Sequence, residues 1–215
     1  MKRVCGALFL LVMMSSASAP SVHAQDGMED RVNPVLRFDA GFHLGVLGRV
    51  NGEVPTSFGT DRTISPSPGV YFRADVSLGR YFLFRPSVHW RSVKARGVGG
   101  PLHLYSVQVG IGVHREFDFR RGESVTLDPY FFVMVGVDAV DRALVAVPVI
   151  DEGTSFGPSW GVRAGLITWL SSRFGVNVGG GFERADFFPS TLRDGHQHVY
   201  LMRLALELGV SFRFD

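Results

Sequence analysis

The sequence predicts an all-β chain folded as an eight-stranded antiparallel up-and-down transmembrane β-barrel. Three observations predict it: eight segments alternate apolar with polar residues, their connections are alternately short and long, and one face of every segment is nearly free of charge. Alternation with period two is the mark of a half-buried strand. The bare face and the loop rhythm decide what surrounds it.

The segments come in order. Residues 36–50 set Leu36, Phe38, Ala40, Phe42, Leu44 and Val46 against Arg37, Asp39, Gly41, His43 and Gly45. Residues 70–78 set Val70, Phe72, Ala74, Val76 and Leu78 against Tyr71, Arg73, Asp75 and Ser77. Residues 82–92 oppose Phe84, Pro86, Val88 and Trp90 to Arg85, Ser87, His89 and Arg91, and residues 104–117 oppose Tyr105, Val107, Val109, Ile111 and Val113 to Ser106, Gln108, Gly110, Gly112 and His114. In residues 127–139 the polar side is weaker, with Tyr130, Phe132, Met134, Gly136 and Asp138 opposite Phe131, Val133, Val135 and Val137. Residues 160–170 place Gly161, Arg163 and Gly165 on the polar face, which Ile167 and Trp169 then interrupt. Residues 174–184 set Val176, Val178 and Phe182 against Asn177, Gly179, Gly181 and Glu183, and the last segment, 199–214, sets Met202, Leu204, Leu206, Leu208, Val210, Phe212 and Phe214 against Arg203, Ala205, Glu207, Gly209, Ser211 and Arg213.

The connections 51–69, 140–159 and 185–198 are long, 79–81 and 171–173 are tight, 93–102 is intermediate, and 118–126 reads as a modest turn. Turns at one end and loops at the other suit an outer-membrane barrel. A water-soluble calyx also has eight alternating strands, but three features favour lipid. The polar face is rich in glycine and in arginine with carboxylate, which suits a cramped interior. The other face is apolar throughout. Aromatic residues gather near segment ends, Phe38, Phe84, Phe117, Phe174 and Phe214 on the turn side and Trp90, Tyr105, Trp160 and Tyr200 on the loop side, as interfacial girdles do.

Lys2 and Arg3, the apolar run 4–14 and "SVHAQ" at 21–25 form the pattern of a secretory signal peptide with cleavage after Ala24. The expected organisation is thus a signal peptide over 1–24, a short periplasmic segment over 25–35 and the barrel over 36–215. Cleavage would remove Cys5, the one cysteine, so no disulfide framework supports the fold. It would also cancel the formal charge of +2, since Lys2 and Arg3 are the excess of 22 basic over 20 acidic residues. A neutral chain argues against a nucleic-acid partner.

The closing stretch "ELGVSFRFD" carries the most specific pattern: Glu207, Gly209, Phe212 and Phe214 stand as polar residue, x, glycine, x, x, aromatic, x, aromatic. With it, residues 36–214 resemble the small eight-stranded bacterial outer-membrane β-barrel family, OmpA-like and OmpX-like. The resemblance implies an outer-membrane location in a Gram-negative envelope and makes those four residues the signal read by the barrel-assembly machinery. In that family the aromatic residue comes last, whereas Asp215 follows it here. No peptidoglycan-binding domain is expected after the barrel.

An eight-stranded barrel has an interior just wide enough for side chains to fill. Arg37, Asp39, His43, Arg73, Asp75, Arg85, His89, Arg91, His114, Glu116, Asp138, Arg163, Glu183, Arg203 and Glu207 are therefore expected to point into one lumen and to pair there as a plug. Glu207 and Arg203 are expected to pair with residues such as His43, Arg37 and Glu183. The function this suggests is structural, or a surface interaction through loops 51–69, 140–159 and 185–198, with outer-membrane lipid and lipopolysaccharide as surroundings and a monomer as the unit. The alternatives are a small ion or solute channel and a lipid A-modifying enzyme. Asp75 with Ser77 and a histidine, or His103 with Ser106, could be imagined in acyl transfer, and His196 with His198 could touch a metal, but each is a common coincidence. No catalytic residue, cofactor or metal is expected.

Overall fold

The computed structural model describes residues 35–52, 61–64, 66–93, 102–121, 123–140, 155–187 and 199–214. The signal-peptide and periplasmic-segment readings over 1–34, the loop residues 53–60, 94–101, 141–154 and 188–198, and Asp215 lie outside them. The strands are β1 (Leu36–Gly52), β2 (Asp61–Ile64), β3 (Ser67–Ser77), β4 (Phe82–Val93), β5 (Leu102–His114), β6 (Phe117–Arg121), β7 (Glu123–Val140), β8 (Ser155–Trp169), β9 (Phe174–Phe187) and β10 (Val199–Phe214).

Eight of these form the wall. Each is antiparallel to its neighbour in the order β1, β3, β4, β5, β7, β8, β9, β10, and β10 then pairs back onto β1, from Leu36 opposite Phe214 to Gly52 opposite Val199. Closure leaves no free edge, which a barrel in hydrocarbon requires. The two extra strands are extensions: β2 pairs with the far end of β1, and β6 with the first residues of β7.

Four differences from the sequence reading have local causes. A bulge between Gly45 and Leu47 makes Val46 the extra residue, so Leu47 takes over the outward position. The modest turn expected over 118–126 is a β-hairpin, because β6 folds onto the start of β7, and the fourth wall strand ends at His114 instead of 117. β9 runs on to Phe187, and β7 and β8 reach Val140 and Ser155, so all three extend into the expected loops. The turn-end connections stay short: Leu78 N–H bonds Phe82 C=O at 2.8 Å, and Leu170 N–H bonds Phe174 C=O at 2.9 Å.

Burial follows the two-residue period. Along β4 the inward Leu83, Arg85, Ser87, His89, Arg91 and Val93 are buried, and the outward Trp90 is exposed. Phe42 is 72% exposed and Ile111 62%, both at outward positions. Among the described residues no helix is long and apolar enough to cross a membrane.

Candidate functional site

The inward face brings the charged side chains into a lumen that divides into levels. Nearest the loop end, Glu183 of β9 is a hub. Its carboxylate accepts from Arg91 at 2.9 Å, Arg163 at 2.8 Å, Arg203 at 2.8 Å and Gln108 at 2.7 Å, so three guanidinium groups share one anion. Asp138 supplies a second, 3.1 Å from Arg203 and 4.0 Å from Arg91. Arg91 Nε also donates to His43 Nε2 at 3.0 Å, and the His43 and His89 rings stack 5.8 Å apart.

At mid-height Arg73 is the centre. Its guanidinium donates to Asp39 at 2.6 Å, to Glu207 at 2.7 Å and to the Tyr130 hydroxyl at 3.1 Å. Tyr130 in turn donates to Asn177 at 2.9 Å, Asn177 donates to Asp39, and Arg163 closes on Glu207. Arg163 thus joins the two levels. Toward the turn end Arg85 grips Asp75 with two bonds of 2.6 and 2.7 Å while its guanidinium lies 3.6 Å from the Phe132 ring centroid. Forked arginine–carboxylate pairs of this kind are among the stronger hydrogen-bonded contacts. At the mouth Arg37 binds Asp128 and, at 2.6 Å, Glu116, and His114 Nδ1 lies 2.9 Å from Asp128.

Two apolar layers accompany this network. At the loop end Val93, Leu104, Val140, Ala185, Phe187 and Leu201 point inward from five strands and pack together. Toward the turn end Leu83, Tyr130, Phe132, Met134, Ile167 and Trp169 fill the side of the lumen formed by β4, β7 and β8. Ile167 and Trp169, which interrupt the polar pattern, belong to this second layer.

The bulk of Tyr71 and Tyr130 fits because glycines face them. Tyr71 lies across the paired Gly41 and Gly209, where a Cβ on Gly41 would come within 2.8 Å of its hydroxyl. Tyr130 does the same over Gly165 and Gly179, where a Cβ on Gly179 would meet its hydroxyl at 2.6 Å.

Of the fifteen residues expected in the lumen, Glu116 is placed differently. It stands exposed on the turn-end rim, because β5 stops at His114, and there it bridges Arg37 and Arg213, each at 2.6 Å. The others are buried inside. Arg203 pairs with Glu183 as expected. Glu207 does not bond His43 or Arg37 although His43 is its register partner, because its carboxylate reaches across the lumen to Arg73 and Arg163. The sequence reading missed Asp128, which is 0% exposed, and gave no part in the network to Tyr71, Gln108, Tyr130 and Asn177. Counting back by two from Tyr130 reaches Asp128.

The imagined acyl-transfer groupings do not assemble. Asp75 is held by Arg85, Ser77 Oγ donates to Gly79 C=O at 3.2 Å, His89 Nε2 lies 3.2 Å from Ser87 Oγ, and His103 stacks on Trp90 at 5.6 Å while Ser106 Oγ accepts from Arg91 at 3.3 Å. His114, Glu116 and Asp128 bring donor atoms within 4.8 Å of one another, but the cation among those carboxylates is the Arg37 guanidinium. His196 and His198 lie outside the described residues.

The lumen is charged and the exterior bears exposed Phe42, Leu47, Ile111, Val133, Val178 and Leu208. This inverts a water-soluble calyx, and hydrocarbon is the surrounding that accepts such an exterior. The chain is an eight-stranded transmembrane β-barrel. Near the loop end of this barrel Arg184 and Asp186 face outward and pair at 2.8 Å, with Arg184 4.6 Å from the Tyr200 ring, at the girdle level where polar groups are tolerated.

Among solved structures, the barrel is similar to the outer membrane protein OprG from Pseudomonas aeruginosa (12% identity, 85% of this chain and 96% of that chain, TM-score 0.49). It is also similar to Neisserial surface protein A (14% identity, 84% and 97%, TM-score 0.47) and to the outer membrane protein AlkL (13% identity, 92% and 97%, TM-score 0.47). No protein-family model matches the sequence, and neither does any curated protein.

Proposed function

We propose that the protein is an integral outer-membrane barrel with a closed lumen, serving a structural role or presenting loops for a surface interaction. The observation that carries this reading is the filled interior: levels of paired charge run along the lumen, an apolar layer from five strands closes its loop end, and a second fills the side formed by β4, β7 and β8. Eight strands leave little room beyond side chains, and separating these ion pairs would strand buried charge at a cost of several kcal/mol.

The proposed partners belong to this reading. Lipid and lipopolysaccharide surround the apolar band, the assembly machinery reads Glu207, Gly209, Phe212 and Phe214, and an extracellular ligand meets loops 51–69, 140–159 and 185–198 around a monomer. Planar-bilayer recording of the refolded protein tests the closed lumen. The expected trace has no large steady conductance, and a large stable one assigns the protein to the channels instead. Lipid A mass spectra with and without the gene are expected to match, and a lost or added acyl chain would mark a lipid-modifying enzyme.

A further inference from the structure

The turn-end mouth holds a bowl that the plug does not use. It is a half-open pocket of about 320 Å³ bounded by Arg37, Arg80, Tyr81, Arg115, Glu116 and Phe117, among others. Backbone bonds frame it: Tyr81 C=O accepts from His114 N–H at 2.9 Å, and Val35 C=O accepts from Ser77 N–H at 3.2 Å. The turn beneath Arg80 depends on Gly79, whose φ of 118° is a conformation side chains resist.

The charges here are unequal. The two carboxylates described at this mouth are taken: Arg37 and Arg213 bind Glu116, and Arg37 and His114 bind Asp128. Arg80 and Arg115 have no carboxylate among the described residues. Each guanidinium instead lies over an exposed ring, Arg80 5.5 Å from Tyr81 and Arg115 5.1 Å from Phe117. The buried His114 ring lines the same bowl with its Nδ1 engaged by Asp128. Two cations with no carboxylate partner among the described residues and two exposed rings at the membrane boundary are the components of a site for a phosphate ester attached to an apolar tail.

We infer that this bowl binds a phosphate group, in the membrane the headgroup phosphate of an anionic phospholipid, with Arg80 and Arg115 as its charge partners and Tyr81 and Phe117 beside the first acyl carbons. The inference rests on the placement of the barrel in a bilayer, with the turn end at the periplasmic leaflet.

Native mass spectrometry of the refolded protein in zwitterionic micelles tests it, with phosphatidylglycerol, phosphatidylcholine or inorganic phosphate added in turn. Wild type is expected to retain one phosphatidylglycerol in preference to phosphatidylcholine. R80Q/R115Q should weaken that retention on the order of tenfold or more, since each surface cation is worth about 1 kcal/mol toward an anionic headgroup. R184Q, at the opposite end, should leave it unchanged. Retention of inorganic phosphate alone, lost in R80Q/R115Q, keeps the phosphate site and makes its ligand a free ion. Equal retention of the two lipids by wild type, or unchanged retention in a double variant whose far-UV circular dichroism and gel shift on heating match wild type, overturns the site. A wild-type chain that fails to fold in micelles or vesicles would count against the membrane placement itself.

Discussion

At the scale of single residues, the lumen separates charges that stabilise from charges that merely fit. Glu183 neutralises part of three arginines, so Glu183→Gln leaves Arg91, Arg163 and Arg203 with Asp138 and Glu207 alone. Breaking a buried ionic group from one side costs about 3–5 kcal/mol, and the urea midpoint of the refolded protein should fall accordingly. Arg85 and Asp75 form a more self-contained pair packed on Phe132. Arg85→Met with Asp75→Leu should therefore cost less than either substitution alone, because both charges leave the interior together. Gly209 poses a different question, since it belongs both to the expected assembly signal and to the floor under Tyr71. A Cβ there would stand 2.7 Å from the Ala40 carbonyl oxygen and press on the Tyr71 hydroxyl. Gly209→Ala is expected to destabilise by about 1–3 kcal/mol as an overpacked site, with Tyr71→Phe restoring part of the loss. Refolding in detergent without assembly machinery is the measurement. Normal refolding there beside failed assembly in cells would make Gly209 a recognition residue only.

At the scale of strands, the barrel closes where β10 meets β1, and aromatic rings line that seam on its outer face. Phe214 meets Phe38 edge-on at 5.6 Å, Phe174 meets Phe212 at 5.5 Å, and Phe38 stacks on Phe72 at 5.9 Å. Phe214→Ala removes one such contact, worth about 0.5–1.5 kcal/mol beyond area, so its unfolding midpoint should drop modestly. Its yield in the membrane of living cells should drop much more if the ring is also read during assembly, and equal losses in the two settings would remove that second role. The strand scale is also where the sequence was most and least legible. Parity alone placed Arg73, Arg85, Arg91 and Arg163 inside, because a barrel wall has only two faces. It lost β9 after Arg184 because the inward residues there, Ala185 and Phe187, are apolar members of the loop-end layer while the outward Arg184 and Asp186 are charged, so the polar–apolar pattern inverts. Asp128 was lost for a related reason: apolar Tyr130, Phe132 and Met134 follow it inward, so the polar face had no visible beginning. Partners were illegible altogether. Glu207 sits opposite His43 in register yet bonds Arg73 and Arg163 across the lumen.

At the scale of the molecule, the closures lie one after another along a single axis, and this ordering makes a prediction that a simple pore would not obey. Current through levels in series is limited by the tightest of them. In Phe132→Ala with Met134→Ala the turn-end layer is thinned, but the Arg73 and Glu183 levels still fill the lumen above it. In Phe187→Ala with Leu201→Ala the loop-end layer is thinned, and the same two levels remain beneath. Each double variant is expected to stay as silent as wild type in a planar bilayer, while its unfolding free energy in urea falls by several kcal/mol, as large-to-alanine changes in a packed interior do. Salt should leave the wild-type midpoint almost unmoved between about 0.1 and 1 M, because pairs shielded from solvent are screened far less than surface pairs. Stability lost without conductance gained would identify the lumen as a packed core built from ion pairs. Conductance appearing when one apolar layer alone is thinned would instead make that layer a gate and the charge network a pathway.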